Sequence, residues 1–139
     1  MTHYVKKLSD DYCAIDTETT GLSAYYDEII EIGMVKVRDG QIVAKYDQLI
    51  QPHYEIDPFI TKLTGITNEM LLDQPTIAEV KDDVLSFIGD DLIVGHNTSF
   101  DIRFLNHAFQ DSVQNEYVDT MQFSRKLYPS LAHHRLSIW

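Results

Sequence analysis

The sequence predicts an α/β fold in which a mixed sheet is flanked by helices, and three observations lead there. In the first part of the chain apolar residues alternate with period two, and Asp39-Gly40 divides two of the alternating runs as a tight hairpin does. From Thr76 onward the apolar spacing becomes that of helices. Between those helical stretches lie a short apolar run at Leu92-Ile93-Val94 and a short strand-like stretch near Glu116 to Val118. Hairpin-linked strands pair antiparallel and strands joined through a helix pair parallel. The first three strands are therefore expected to be antiparallel neighbours and the later ones parallel.

Tyr12-Cys13-Ala14-Ile15 is short, apolar and β-compatible, and reads as a buried strand. Glu28 to Val37 sets Ile30, Ile32 and Met34 against Glu31 and Gly33 as a second strand. Gln41 to Ile50, with Ile42, Ala44, Tyr46 and Leu49, is the third. Pro52 and Pro58 bracket an irregular crossing. Ile60 to Leu63 predicts a short helix ended by Gly65, and Leu63-Thr64-Gly65-Ile66-Thr67 a turn with an apolar residue at its tip. Thr76-Ile77-Ala78-Glu79 has the capping-box pattern, and Ile77, Val80, Val84, Phe87 and Ile88 follow at helical spacing up to Gly89.

Gly95-His96-Asn97-Thr98-Ser99 then turns the chain from the Leu92-Ile93-Val94 strand into a helix with Phe100, Phe104, Leu105, Ala108 and Phe109 on one face. Asp101 falls in its first turn, where exposed amides and the helix dipole favour a carboxylate. A strand near Glu116 to Val118 leads through Asp119-Thr120 to a helix over Met121 to Leu127, stopped by Pro129. The last residues, from Ala132 to Trp139, read as the start of a further helix.

At 139 residues the chain is one domain's worth, 1–139, and long enough to bury a core without disulfides. Its one cysteine, Cys13, sits in the apolar strand and is expected to act as a small core residue, as in a reducing compartment. The N-terminus lacks the apolar core of a signal peptide, and no apolar run approaches the about 20 residues of a membrane span, so a cytoplasmic protein is expected. The net charge of -11 argues against a broad basic surface that wraps a nucleic-acid backbone. It leaves room for an enzyme that grips a chain end through metal ions.

If the first strand continues, Asp16 and Glu18 project from one face, since strand side chains alternate. Two like charges side by side repel, so a cation is expected between them, a divalent metal first of all. With Asp101 supplied from a distant segment, three carboxylates suit two Mg²⁺ or Mn²⁺ ions about 3.5–4 Å apart, the clamp used for in-line phosphoryl displacement. The absence of His/Cys clustering argues against zinc. The plain alternative has Asp16 and Glu18 ending a strand in solvent, with Asp101 merely starting a helix.

These residues carry a resemblance. Asp16-Thr17-Glu18-Thr19-Thr20-Gly21-Leu22 resembles the first motif of the DEDD (DnaQ-like) 3′-5′ exonuclease superfamily. Gly95-His96-Asn97-Thr98-Ser99-Phe100-Asp101 with Phe104-Leu105 resembles its second. Thr64-Gly65-Ile66-Thr67 and Val118-Asp119-Thr120 match an intervening loop and a later Asp-Thr element. The similarity runs from about Tyr12 to the end and is greatest to bacterial proofreading exonucleases, of the DNA polymerase III epsilon type and the domain within Gram-positive polymerase III. It implies a ribonuclease-H-like fold and two-metal removal of nucleoside monophosphates from a nucleic-acid 3′ end, with a DNA polymerase as a possible partner. It further implies that Asp16, Glu18 and Asp101 are catalytic metal ligands. Thr19, Gly21, Leu22, Ile66, His96, Asn97 and Phe100 then belong to the substrate-binding surface, His96 chiefly by shaping the loop that presents Asp101. Core packing is the competing reading for Ile66 and Phe100.

The family's third motif supplies a histidine or tyrosine followed by a fourth acidic ligand. No acidic residue follows His133 and His134, so the chain is expected to be truncated before that motif and impaired as it stands. Three other readings compete. A phosphohydrolase with Asp16 as covalent nucleophile would want a second Asp where Glu18 stands and has no place for the Gly-His-Asn turn. A 3′-5′ exoribonuclease of the same superfamily remains open, because no element reads a 2′-hydroxyl. The third is a non-catalytic module that binds nucleic-acid ends or a polymerase.

Overall fold

A computed structural model of the protein describes residues 3–4 and 10–121. Their elements are β1 (His3–Tyr4), β2 (Tyr12–Thr19), β3 (Ile29–Arg38), β4 (Gln41–Leu49), α1 (Pro58–Thr64), α2 (Asn68–Leu71), α3 (Lys81–Ile88), β5 (Ile93–Gly95), α4 (Thr98–Ala108) and β6 (Glu116–Asp119). The expected helix over Met121 to Leu127 lies outside the described residues beyond Met121, as do His133, His134 and the final segment. No helix among the described residues is long and apolar enough to cross a membrane.

Among the described residues the sheet runs β1-β6-β5-β2-β3-β4. The β2/β3 and β3/β4 pairs are antiparallel, whereas β2/β5, β5/β6 and β1/β6 are parallel. The expected mixed sheet is present, with β1 and α2 added to it. At the hairpin Asp39 and Gly40 both take positive φ, 53° and 73°, the combination that matches the twist of the flanking strands. Lys36 and Arg38 of β3 reach Asp91 at 3.2 and 2.7 Å, fastening this hairpin to the chain entering β5.

β2 is longer than its apolar run. Ladder pairing with β3 continues in register through Thr17↔Ile32 and Glu18↔Glu31 and, after an irregularity that skips Ile30, to Thr19↔Ile29. Asp16 and Glu18 therefore stand within a strand that continues past its apolar run and do not end it in solvent.

The main core lies between one sheet face and α3 and α4, with Ile15, Ile32, Val84, Phe104, Leu105 and Phe109 at its centre. Each such side chain contributes about 1.5–3 kcal/mol on burial. Cys13 is fully buried there, and burial pushes its thiol up to about 12, which makes it a core residue and a poor nucleophile. A second cluster of Ile30, Ile56, Ile60, Ile66 and Leu71 seats α1 and α2 against the sheet. The capping box forms before α3: the Thr76 N–H donates to Glu79 Oε1 at 2.9 Å and the Glu79 N–H to Thr76 Oγ1 at 3.4 Å. Regular helix begins only at Lys81, one turn later.

Candidate active site

Alternation along β2 sends Cys13 and Ile15 into the core beneath α3 and α4, with Thr17 on the same side. Asp16 and Glu18 face the other way, in register with Gly33 and Glu31 of β3. From β5 the chain turns at His96 and Asn97 into α4. Gly95 passes so close to β2 that a Cβ there would stand 3.0 Å from the Ile15 carbonyl oxygen and 3.0 Å from Thr98 Oγ1. Asn97 takes a left-handed conformation, φ 92°, at the helix start.

Residues of β6 hold this turn. Asp119 Oδ1 accepts the Asn97 N–H at 2.8 Å and the Met121 N–H at 2.9 Å, and Thr98 Oγ1 donates to the Val118 carbonyl at 2.7 Å. Thr120 Oγ1 donates its one hydrogen to the Gly95 carbonyl at 3.0 Å and lies 3.0 Å from His96 Nδ1. That one hydroxyl thereby ties the His96 ring to the end of β5.

Asp101 is thereby delivered to β2. It is 5% exposed and accepts a hydrogen bond from the Thr17 hydroxyl, 84 positions away in sequence. Its pKa is pushed up to about 8, first by burial and then by the charges of Asp16 and Asp119; the bonds from Thr17 oppose the rise. Glu31 is likewise pushed up to about 8, by burial, by a hydrogen bond with Asp47 and by the charges of Asp47, Glu18 and Asp16.

Asp16, Glu18 and Asp101 all line one open groove of about 650 Å³. Thr19, Gly21, Leu22, His96, Asn97 and Phe100, each expected at the site, line it as well. The Thr19 hydroxyl donates to the Gly21 carbonyl at 2.7 Å, and Gly21 sits where a Cβ would meet the Asp27 carboxylate at 2.4 Å. Leu22 is 83% exposed on the rim. Phe100 is half-buried, with its ring 4.8 Å from that of Phe104 and the Arg103 guanidinium 5.7 Å from its centroid. It packs against the core on one side and lines the groove on the other.

Ile66 is corrected. The expected turn tip is 3% exposed, buried among Ile30, Ile56, Ile60 and Leu71, and absent from the groove wall. Gly65, left-handed at φ 80°, ends α1 and folds Ile66 back under the helix. The apolar wall comes instead from α1, through Phe59 and Leu63, 65% and 68% exposed. Two exposed apolar residues four apart on a helix that also buries Ile60 were a readable signal for that wall. Glu31 and Asp47 were also missed: an irregularity between Lys36 and Val37 shifts the β3/β4 register by one, so that Glu31 lies opposite Leu49 and Gly33 opposite Asp47, beside the two carboxylates of β2, whereas the hairpin register carried straight outward from Asp39-Gly40 would set Ile32 opposite Asp47.

As a metal site the groove offers carboxylate oxygens. Among the described residues no three His, Cys, Asp or Glu side chains gather closely enough to hold an ion by themselves. Such a donor set fits Mg²⁺ or Mn²⁺, which rely on one or two carboxylates with waters and substrate phosphate oxygens, and does not fit a closed zinc cage.

The exonuclease family model RNase_T matches residues 13–138. DNA polymerase III PolC-type of Halalkalibacterium halodurans is 41% identical over 138 residues, 96% of this chain and 10% of that protein. The Bacillus subtilis protein of the same name is 44% identical over 133 residues, 92% of this chain and 9% of its own length. The chain thus spans about a tenth of the length of these curated relatives. Among solved structures, Exonuclease X in complex with 5′ overhanging duplex DNA superposes with a TM-score of 0.68 and 34% identity, covering 86% of this chain and 66% of that one. E. coli Exonuclease I in complex with a dT13 oligonucleotide shares the fold, with a TM-score of 0.73 at 17% identity over 86% of this chain and 30% of that one.

Proposed function

The chain belongs to the exonuclease family, and on that premise we propose that it shortens DNA from the 3′ end, releasing nucleoside monophosphates by a two-metal hydrolysis. The observation that carries this reading is the convergence of Asp16, Glu18 and Asp101 on one groove, with Asp101 buried and its ionisation opposed by neighbouring acids. An anionic set built at such cost is stabilised when cations share it. When bound, a pair of Mg²⁺ or Mn²⁺ ions supplies an activated water and charge for the leaving oxygen.

The chain's own residues supply the rest. Asp16, Glu18 and Asp101 hold the ions, and Thr17 orients the Asp101 carboxylate. The turn at His96 and Asn97 sets the position from which Asp101 reaches the groove. Phe100 presents a ring to the terminal sugar or base, in a groove that Phe59 and Leu63 also line. Leu22 stands at the rim as an apolar wedge against the next base, and the Thr19–Gly21 bond sets the loop that carries it. Ile66 acts from below, by seating α1. The likeness to PolC-type polymerases supports proofreading beside a DNA polymerase as the setting.

The test is a 5′-labelled single-stranded DNA incubated with the polypeptide as its gene encodes it. Shortening from the 3′ end, dependent on Mg²⁺ or Mn²⁺ and lost in Asp16→Asn, is expected. Degradation that persists in chelator or proceeds from the 5′ end would overturn the proposal, and faster cleavage of RNA than of DNA would overturn the choice of substrate.

A further inference from the structure

Outside the groove, the loop between β2 and β3 carries the most exposed aromatic pair among the described residues. Tyr25 and Tyr26 are 77% and 87% exposed, with ring centroids 5.7 Å apart, and Tyr25 lies 5.0 Å from the His107 ring of α4. The three rings form a row. Apart from these ring contacts the two tyrosines bury little within the fold, and exposed aromatic surface clustered in this way suits contact with a ligand.

The loop is built to hold them in place. Thr20 and Glu28 close its base, with the Thr20 N–H on the Glu28 carbonyl and the Glu28 N–H on Thr20 Oγ1, both at 2.9 Å. The Ser23 N–H donates to Asp27 Oδ2 at 2.9 Å, and the N–H groups of Tyr25 and Tyr26 donate to Ser23 Oγ at 3.3 and 3.2 Å. Glu28 in turn accepts from the His53 backbone at 3.0 Å, tying the loop to the segment after β4. Rings on an ordered loop offer stacking faces without a large entropy loss on binding.

The row is continuous with the groove. Leu22 lines both the groove and a neighbouring cleft, and that cleft reaches Tyr25, Arg103 and His107. Tyr25 and His107 also border the next cleft, which contains Tyr26 and Tyr54. We infer that Tyr25, Tyr26 and His107 form a second nucleic-acid subsite, a stacking platform for unpaired bases of the substrate strand that lie past Leu22, outside the groove. This rests on the nuclease reading of the groove.

Charge decides the mode of contact. Arg103 lines the nearer cleft together with Asp111, and Asp27 and Glu28 border the farther one, so neither cleft offers a basic track for phosphates. Base stacking on aromatic faces tolerates any sequence, and substitution of one such ring by alanine lowers affinity roughly five- to 150-fold.

The experiment measures binding of labelled oligothymidylates, with a hydrolysis-resistant 3′ linkage and Mg²⁺, over lengths from about four to about sixteen nucleotides. Wild type is expected to favour the long strands. Tyr25→Ala with Tyr26→Ala should remove that preference by about tenfold or more while leaving the shortest strand unaffected, and Tyr25→Phe with Tyr26→Phe should retain it. Long-strand preference that survives in the alanine variant, or is lost equally in the phenylalanine variant, overturns the platform while leaving the groove reading intact. Alanine variants that keep every oligonucleotide affinity but no longer co-elute with a DNA polymerase assign the rings to a protein contact and overturn it too. Absence of metal-dependent binding at every length instead refutes the function proposed for the groove, and the platform with it.

Discussion

Asp119 Oδ1 accepts the backbone N–H of Asn97 at 2.8 Å, which ties the end of β6 to the left-handed turn from which α4 starts. The same oxygen holds the Met121 N–H, so one carboxylate, 5% exposed, organises two loops around Asp101 without facing the groove. Asp119→Ala should leave both amides unsatisfied and cost about 1–3 kcal/mol of stability, with a loss of turnover. Asp119→Asn retains an acceptor oxygen and should recover most of both. Urea unfolding and nuclease assays on the two variants read the difference.

Asp16→Ala and Glu18→Ala should each lower nuclease turnover by at least about a hundredfold, the scale at which lost electrostatic stabilisation of a transition state is felt. Neither side chain is in the core, so circular dichroism and melting temperature should stay close to wild type. Calorimetric titration with Mn²⁺ should show weakened binding in both.

Asp101 and Glu31 have folded-state pKa values of about 8 against ordinary values of 3.8 and 4.5. A carboxyl whose pKa is raised by folding keeps its proton in the native state while the unfolded chain has released it. Between those values the folded form binds more protons, and stability falls as pH rises. Without divalent metal the melting temperature should therefore be higher near pH 5 than near pH 8 as far as these two groups contribute. Asp101→Asn should flatten the dependence, and added Mg²⁺ or Mn²⁺ should raise the melting temperature more at the higher pH. Scanning calorimetry across the range checks the sign.

Leu22→Ala tests the rim. With the side chain 83% exposed, its removal should change stability by no more than about 0.5 kcal/mol. If it wedges against a base, the variant should bind a 3′ terminus more weakly and raise KM with kcat nearly unchanged. Steady-state kinetics on a short single strand separate the two quantities.

Gly95→Ala tests the close approach of β5 to β2. The added methyl would sit 3.0 Å from the Ile15 carbonyl oxygen, a backbone atom that cannot swing aside. About 1–3 kcal/mol of destabilisation is expected, measurable by chemical denaturation, with Asp101 displaced and activity reduced in proportion.

The order and type of most elements were legible from local pattern. Asp39-Gly40, the Thr76/Glu79 box and the apolar spacing of α3 and α4 each express backbone geometry that neighbouring residues impose on one another. Residue identity at period two also put Asp16 and Glu18 on one face. Ile66 shows where pattern gives out: an apolar residue after a glycine reads the same whether the turn points outward or tucks under a helix, and the packing of Ile30 and Leu71 decides. The two short elements, β1 and α2, were missed because segments of a few residues carry too little periodicity to register.

By itself, then, the sequence determined a mixed α/β sheet, the family, and the carboxylates that come to line one groove, because hydrophobic period and motif spacing are properties of short stretches. Only the tertiary structure decided how those carboxylates meet. It seats Asp101 against Thr17 and recruits Asp119 and Thr120 to brace its turn. It also brings Glu31 beside Asp47 and closes the groove with Phe59 and Leu63. Each of these depends on pairing register and helix packing between distant segments, where burial and charge act through space rather than along the chain.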